Sequence, residues 1–218
     1  MMINSDINVM INSLPLPPAG KNGWPWNDLH QHLAADRQDE FICPKISIIT
    51  PSYNQGQFLE STIRSILLQG YPNLEYIIID GGSTDKSIEI IRKYEPFLAY
   101  WHSRKDNGQS DALNQGFSIS TGDLMGWICS DDMLEPNALC QLASCYQRGK
   151  HWWIGSASQL LQDGSIFSFD SSKTFRITEN DLLHARAIIP QPAIFWTREL
   201  CSNSHFKESA AIGRDFQL

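Results

Sequence analysis

Residues 46–83, ISIITPSYNQGQFLESTIRSILLQGYPNLEYIIIDGGS, hold two apolar runs separated by an amphipathic stretch. Ile46-Ser47-Ile48-Ile49-Thr50 is continuous and β-branched, as in a strand buried on both faces, and Pro51 is expected to stop it. Phe58 to Gln69 then sets Leu59, Ile63, Ile66 and Leu67 on one helical stripe, and Gly70-Tyr71-Pro72 supplies the glycine and proline that end a helix. Tyr76-Ile77-Ile78-Ile79 is a second buried strand, closed by Asp80-Gly81-Gly82-Ser83. Strand, helix and strand in so few residues make a parallel crossover unit.

The unit repeats outward. Ile88, Ile91 and Tyr94 line a second helix up to Pro96, and Leu98 to Trp101 is a weaker third strand. Ala112, Leu113, Gly116 and Phe117 mark a third helix. Leu124 to Cys129 is a fourth strand running into Ser130-Asp131-Asp132, and Pro136 opens a helix expected to reach Arg148. The fold class is therefore α/β, with a mainly parallel sheet flanked by helices. Beyond residue 150 the alternation fails. Trp152–Leu161 and Ile166–Phe169 read as a hairpin, Thr178 to Asp181 as a helix start, and Ala193 to Trp196 as a further strand. Residues 1–44 read as an arm, with prolines and glycines from Pro15 to Pro25 around Trp24 and Trp26. So much indole surface is expected to pack on the domain or on a neighbouring subunit.

Composition narrows the function. The 218 residues carry 17 basic and 24 acidic side chains, a formal charge of −7, which speaks against a nucleic-acid binder. With 42% hydrophobic and 19% charged residues, the bulk of the chain is not disordered. No apolar run approaches the roughly 18–20 residues of a membrane span, and MMINSDINVM lacks the features of a signal peptide. The five cysteines are odd in number and form no CxxC pair, so free thiols in a reducing cytoplasm are expected.

In an open parallel sheet, ligands bind beyond the carboxyl ends of the strands. Polar residues gather at those ends: Thr50-Pro51-Ser52-Tyr53, Asp80, Asp106-Asn107-Gly108 and Ser130-Asp131-Asp132. Each alone is an ordinary turn, and Asp80-Gly81-Gly82-Ser83 alone is a turn and helix cap. Four on one edge point to a shared site. The adjacent Asp131 and Asp132 repel each other as they leave a buried strand, and a hard divalent ion, Mg2+ or Mn2+, is the natural partner for such a pair. The alternative is that Asp132 only begins the turn into the next helix. No GxGxxG, no GxxxxGK[ST], no GxSxG and no HExxH occurs, so a dinucleotide fold, a P-loop, a serine hydrolase elbow and a zinc protease site lack support.

IITPSYNQGQFLESTIRSILLQGYPNLEYIIIDGGSTDKSIEII, followed by DNGQSDALNQGF, TGDLMGWICSDD and PQPAIFW, resembles glycosyltransferase family 2, over roughly residues 45–218. The flavour is that of the bacterial polysaccharide-building branch. The resemblance implies the GT-A fold, a Rossmann-like sheet whose residues 45–150 hold the nucleotide-sugar and whose smaller, mixed part, 151–218, faces the acceptor. It implies that Thr50, Pro51 and Tyr53 line the base and ribose pocket and that Asp80 bonds the nucleoside. Asp111 and Asn114 approach the donor sugar, Asp131 and Asp132 serve metal and ribose, Gln191 lies on the acceptor side, and Asp215 is the catalytic base. It also implies an inverting transfer to a glycan or lipid-linked acceptor, in the cytoplasm or at the inner face of a membrane. Peripheral membrane association and self-association through the arm are compatible with it.

The sequence departs from the family pattern twice. Cys129 stands where the first Asp of an Asp-x-Asp motif would be, and the late motif stops at Leu218, as in a truncated form. Three other classes stay open. A non-catalytic sugar-nucleotide binder would explain Cys129. A pyrophosphorylase would need a glycine-rich basic loop where Ser52-Tyr53-Asn54-Gln55 stands. A scaffold would use the Trp arm but not four polar strand ends.

Overall fold

The computed structural model describes residues 4–27, 43–147, 149–161, 163, 165–169 and 189–201. Strands β1 (Ile46–Ser52), β2 (Leu74–Asp80), β3 (Tyr100–Ser103) and β4 (Leu124–Trp127) run parallel. β8 (Ile194–Thr197) adds antiparallel to β4, and β5 (Trp152–Ile154) antiparallel to β8, giving the order β3-β2-β1-β4-β8-β5. The chain thus winds outward from β1 through β2 to β3, then crosses back to place β4 on the other side of β1. That reversal makes the ligand-binding crevice of an open α/β sheet.

Successive strand residues point to opposite faces, and the two faces are covered unequally. Ile46, Ile48, Tyr76 and Ile78 pack in one core with four helices: α1 (Asn4–Ser13), α2 (Leu59–Leu67), α3 (Ser87–Tyr94) and α5 (Ala138–Cys145). Ile49, Ile77 and Ile79 face α4 (Gln109–Ile119), through Ala112 and Leu113. Helix α4 lies close to the sheet because Gly116 carries no side chain; a Cβ there would stand 2.6 Å from Ile49 Cγ2.

Several boundaries differ from the sequence reading. Pro51 does not stop β1, which continues to Ser52. Ser52 uses its carbonyl toward β2, accepting from Gly81 N, so the missing Pro51 donor falls on the β4 side. There the ladder has already ended at the Ile49–Trp127 pair, and no partner is deprived. β3 starts at Tyr100 because a 3-10 turn at Glu95–Phe97 takes up the backbone as far as Leu98. Helix α5 is shorter than expected and begins after Asn137, which takes a left-handed φ of 64°. The expected 152–161 arm divides: Trp152–Ile154 joins the main sheet, while β6 (Ala157–Leu160) pairs with β7 (Ile166–Phe169) in a separate hairpin. The helix start expected at Thr178 to Asp181 lies outside the described residues.

The N-terminal region is helical before it is extended. Ile7, Ile11 and Leu14, at helical spacing, bury against the main core. Trp24 also packs on that core, and its Nε1 donates to the Leu134 carbonyl at 2.9 Å. Arg64, 3% exposed within α2, donates to the carbonyls of Pro15 (2.7 Å), Pro25 (3.0 Å) and Trp26 (3.2 Å). Both tryptophans therefore contact their own chain. Among the described residues no helix is long and apolar enough to cross a membrane. After Arg198–Cys201 (α6) the described chain ends.

Candidate active site

The carboxyl edge begins with two loops stitched to each other. The backbone N–H of Asn54 donates to Ser83 Oγ (2.8 Å), that of Gln55 to Ser87 Oγ (3.2 Å), and that of Gly56 to Asp85 Oδ2 (2.8 Å). Asn54 returns the bond, accepting from Thr84 N at 2.9 Å. It is able to do so because it adopts a left-handed φ of 52°, a conformation that asparagine tolerates better than most residues. The polar residues after β1 and β2 thus satisfy one another's backbone. The sequence reading places Ser83 in a turn and helix cap and does not single out Asn54, Asp85 or Ser87.

Asp80 sits beneath the clamp. It is wholly buried, and its Oδ2 accepts from Gly82 N (3.1 Å), Ser83 N (2.8 Å) and Ser103 Oγ (2.6 Å), while Oδ1 accepts from Ser83 Oγ at 2.5 Å. Its carboxylate shapes the loop from within. Thr50 is likewise buried, 3.1 Å from the Tyr76 hydroxyl, and Pro51 is buried beside it. Tyr53 points outward, 63% exposed at the mouth of the edge. Ser52, 4% exposed, has a hydroxyl with no partner among the described residues.

Helix α4 opens at Gly108, whose φ of 104° suits glycine. The Asp111 carboxylate accepts from Asn107 N (3.0 Å), Asn107 Nδ2 (3.2 Å) and Gln115 Nε2 (3.1 Å), bonds that hold its pKa below the usual range. Asn114 lies half-buried on the same helix. Asp106, at the end of β3, is pushed the other way, chiefly by burial and further by the charges of Asp111 and Asp80.

The acidic pair lies past β4. Among the described residues, Cys129, Asp131 and Asp132 form a group whose ligand atoms all lie within 4.8 Å of one another. Asp131 is exposed and Asp132 half-buried. Burial, then the Asp131 charge, pushes the Asp132 carboxyl up to about 6, although a hydrogen bond from Cys129 opposes this. Burial and the same two carboxylates push the Cys129 thiol up to about 12, so it stays protonated. Two oxygen donors that repel one another suit a hard ion such as Mg2+ or Mn2+.

Gln191 reaches this group from far along the chain. Because β8 runs antiparallel to β4, the turn before it, Gln191–Ala193, arrives at the carboxyl edge. Gln191 Nε2 donates to the Trp127 carbonyl at 2.7 Å, and its Oε1 lies 3.7 Å from Cys129 Sγ. Gln109 Nε2, at the start of α4, is 3.4 Å from the same sulfur. Cys129 thus joins the start of α4 to the turn that carries Gln191. Gln109 was not singled out in the sequence, where nothing sets it apart from any other helix-start glutamine. Asp215 lies outside the described residues.

A family model described as glycosyl transferase family 2 matches residues 47–159. An uncharacterized glycosyltransferase of Mycobacterium tuberculosis is 39% identical over 100 residues, which cover 45% of this chain and 38% of that protein. TuaG of Bacillus subtilis, a putative teichuronic acid biosynthesis glycosyltransferase, is 32% identical over 126 residues, 56% of this chain and 50% of its own length. The matches thus span half or less of these relatives. Among solved structures, a mannosyltransferase from Pyrobaculum calidifontis in complex with GDP-Man and Mn2+ aligns with a TM-score of 0.55. That alignment covers 77% of this chain and 49% of the other at 19% identity, a likeness of fold.

Proposed function

The chain belongs to glycosyltransferase family 2 and has its GT-A fold, and on that premise we propose that it moves a sugar from a nucleotide-sugar to a hydroxyl of a glycan or lipid-linked acceptor. The observation that carries the reading is the acidic group: two carboxylates and a neutral thiol within 4.8 Å, at the carboxyl edge beside the reversal of strand order. The teichuronic acid biosynthesis for which TuaG is named and the GDP-Man and Mn2+ of the mannosyltransferase complex support the substrate class and the metal.

In this reading Tyr53 offers an exposed ring for the base, with Thr50 and Pro51 as the buried floor behind it. Asp80 acts through the loop it holds. Asp111 and Asn114, on α4, flank the sugar, and Gln191 orients the acceptor. Asp131 and Asp132 would hold Mg2+ or Mn2+, which when bound neutralises charge gathering on the diphosphate. The acceptor oxygen attacks the anomeric carbon from the face opposite the diphosphate and forms the new C–O bond. The bond to the diphosphate breaks, and its electron pair leaves on the diphosphate oxygen. Asp215 takes the acceptor proton, and the configuration inverts.

Calorimetry with UDP and GDP, with and without Mn2+, tests this reading. One of the two should bind more tightly with metal, and Asp132→Ala should remove most of that gain. Equal binding with and without metal, for both nucleotides, would sink it. A non-catalytic donor-binding role has one observation in its favour, the neutral Cys129 in place of a carboxylate. It predicts the same binding with no release of sugar to any acceptor.

A further inference from the structure

Helix α2 meets the sheet through Leu59, Ile63, Ile66 and Leu67, but it also buries polar side chains. Thr62 and Ser65 are 0% exposed, and Gln69, in the turn that ends the helix, is 1% exposed. They stand three and four residues apart, so they share one side of the helix. Buried hydroxyl and amide groups are costly unless bonded. All three bond the same target, the segment that carries Asp131 and Asp132.

Thr62 Oγ1 lies 2.9 Å from the Ser130 carbonyl and 2.7 Å from that of Asp132. Ser65 Oγ accepts from Leu134 N at 3.1 Å and donates to the Thr62 carbonyl at 2.8 Å. Gln69 Nε2 donates to the Glu135 carbonyl at 3.0 Å, and its Oε1 accepts from Leu139 N at 3.2 Å. Trp24 adds the bond to the Leu134 carbonyl from the N-terminal region. Backbone groups of residues 130, 132, 134, 135 and 139 are thereby tied to side chains more than 60 positions earlier. The carboxylates of Asp131 and Asp132 carry like charge and repel one another, so it is the backbone bearing them that must keep them close.

We infer that Thr62, Ser65 and Gln69 are positioning residues for the acidic pair. They fix the backbone that bears the two carboxylates, so that the pair stays close before any cation arrives. The inference rests on the metal-binding reading of Asp131 and Asp132. Supports behind metal ligands typically change affinity by about 10–100-fold when removed.

The test uses the full chain with Thr62→Val, which removes the hydroxyl while keeping the shape, and Thr62→Ser, which restores it. Gln69→Leu is the second variant, should Thr62→Val fail to fold. Hydrogen exchange in residues 130–139 and the affinity for Mn2+ alone are measured in each. Thr62→Val should speed exchange in that segment while strands 46–52 and 74–80 keep their protection. It should also weaken Mn2+ about tenfold or more, with Thr62→Ser near wild type. Unchanged exchange in 130–139, or a general loss of stability with Mn2+ affinity intact, would overturn the inference. A wild type that does not bind Mn2+ would remove the functional reading, and local exchange alone would then decide on the positioning role.

Discussion

Arg64 Nη2 donates to the Trp26 carbonyl at 3.2 Å, and the guanidinium carbon lies 5.7 Å from the centroid of that residue's ring. The same side chain reaches the carbonyls of Pro15 and Pro25, so one buried cation gathers a proline-rich segment that forms no sheet of its own. Its charge is spread over hydrogen bonds and an aromatic face, with the Tyr94 hydroxyl 3.3 Å away.

Replacing Arg64 with Met should therefore cost about 2–4 kcal/mol, since three arm carbonyls lose their donor at once. The urea midpoint should fall, and protease should cut first between residues 15 and 27. An unchanged midpoint would show that the segment is held by its apolar contacts alone.

Asp80→Ala should lower stability by about 1–3 kcal/mol, the scale of buried donors left without their carboxylate. Because the bonds run to Gly82, Ser83 and Ser103, the loop after β2 should loosen and nucleotide affinity should fall with it. Calorimetry and denaturation on the same variant separate the two effects. Weakened binding at full stability would mean that Asp80 meets the nucleoside directly.

Glu75 lies at the opposite end of β2 and governs acid stability. Burial alone would raise its pKa, but hydrogen bonds from Lys45, Ser47 and Thr121 bring it from 4.5 down to about 2. A carboxyl depressed in the folded state stabilises above its unfolded pKa and loses that contribution as pH falls through the folded one. The contribution should be intact at neutral pH and fade between about 4.5 and 2. The stability gap between wild type and Glu75→Gln, followed by urea midpoints, should close across that window. A gap that does not depend on pH would contradict it.

Asp215→Asn should lower turnover by about 10²–10⁴-fold, the usual contribution of a general base, while donor affinity stays near wild type. Single-turnover kinetics with a saturating nucleotide-sugar would measure it. Full activity in this variant would take the role of base away from Asp215.

The local pattern was enough to read the frame. Continuous β-branched runs at 46–50 and 76–79, with an amphipathic stretch between, leave no arrangement but a buried parallel pair, because strand and helix periods differ and each needs a covered face. The same logic located the polar strand ends and the acidic pair. The helix Asn4–Ser13 was legible too, in the spacing of Ile7, Ile11 and Leu14, but the prolines that follow drew the whole region into one extended arm.

What the polar residues do was decided only in three dimensions. Nothing in the sequence marks Asn54, Gln55 and Gly56, yet their backbone is satisfied by Ser83, Ser87 and Asp85 about 30 positions away. Thr62, Ser65 and Gln69 read as unremarkable polar positions on a helix and prove to hold the segment after β4. Gln191 reaches Trp127 because β8 adds antiparallel at the edge of β4. Hydrophobic periodicity is written locally, since it records which face each residue turns to the core. A hydrogen bond between distant backbone and side chain leaves no periodic trace, and it exists only once packing has brought its two ends together.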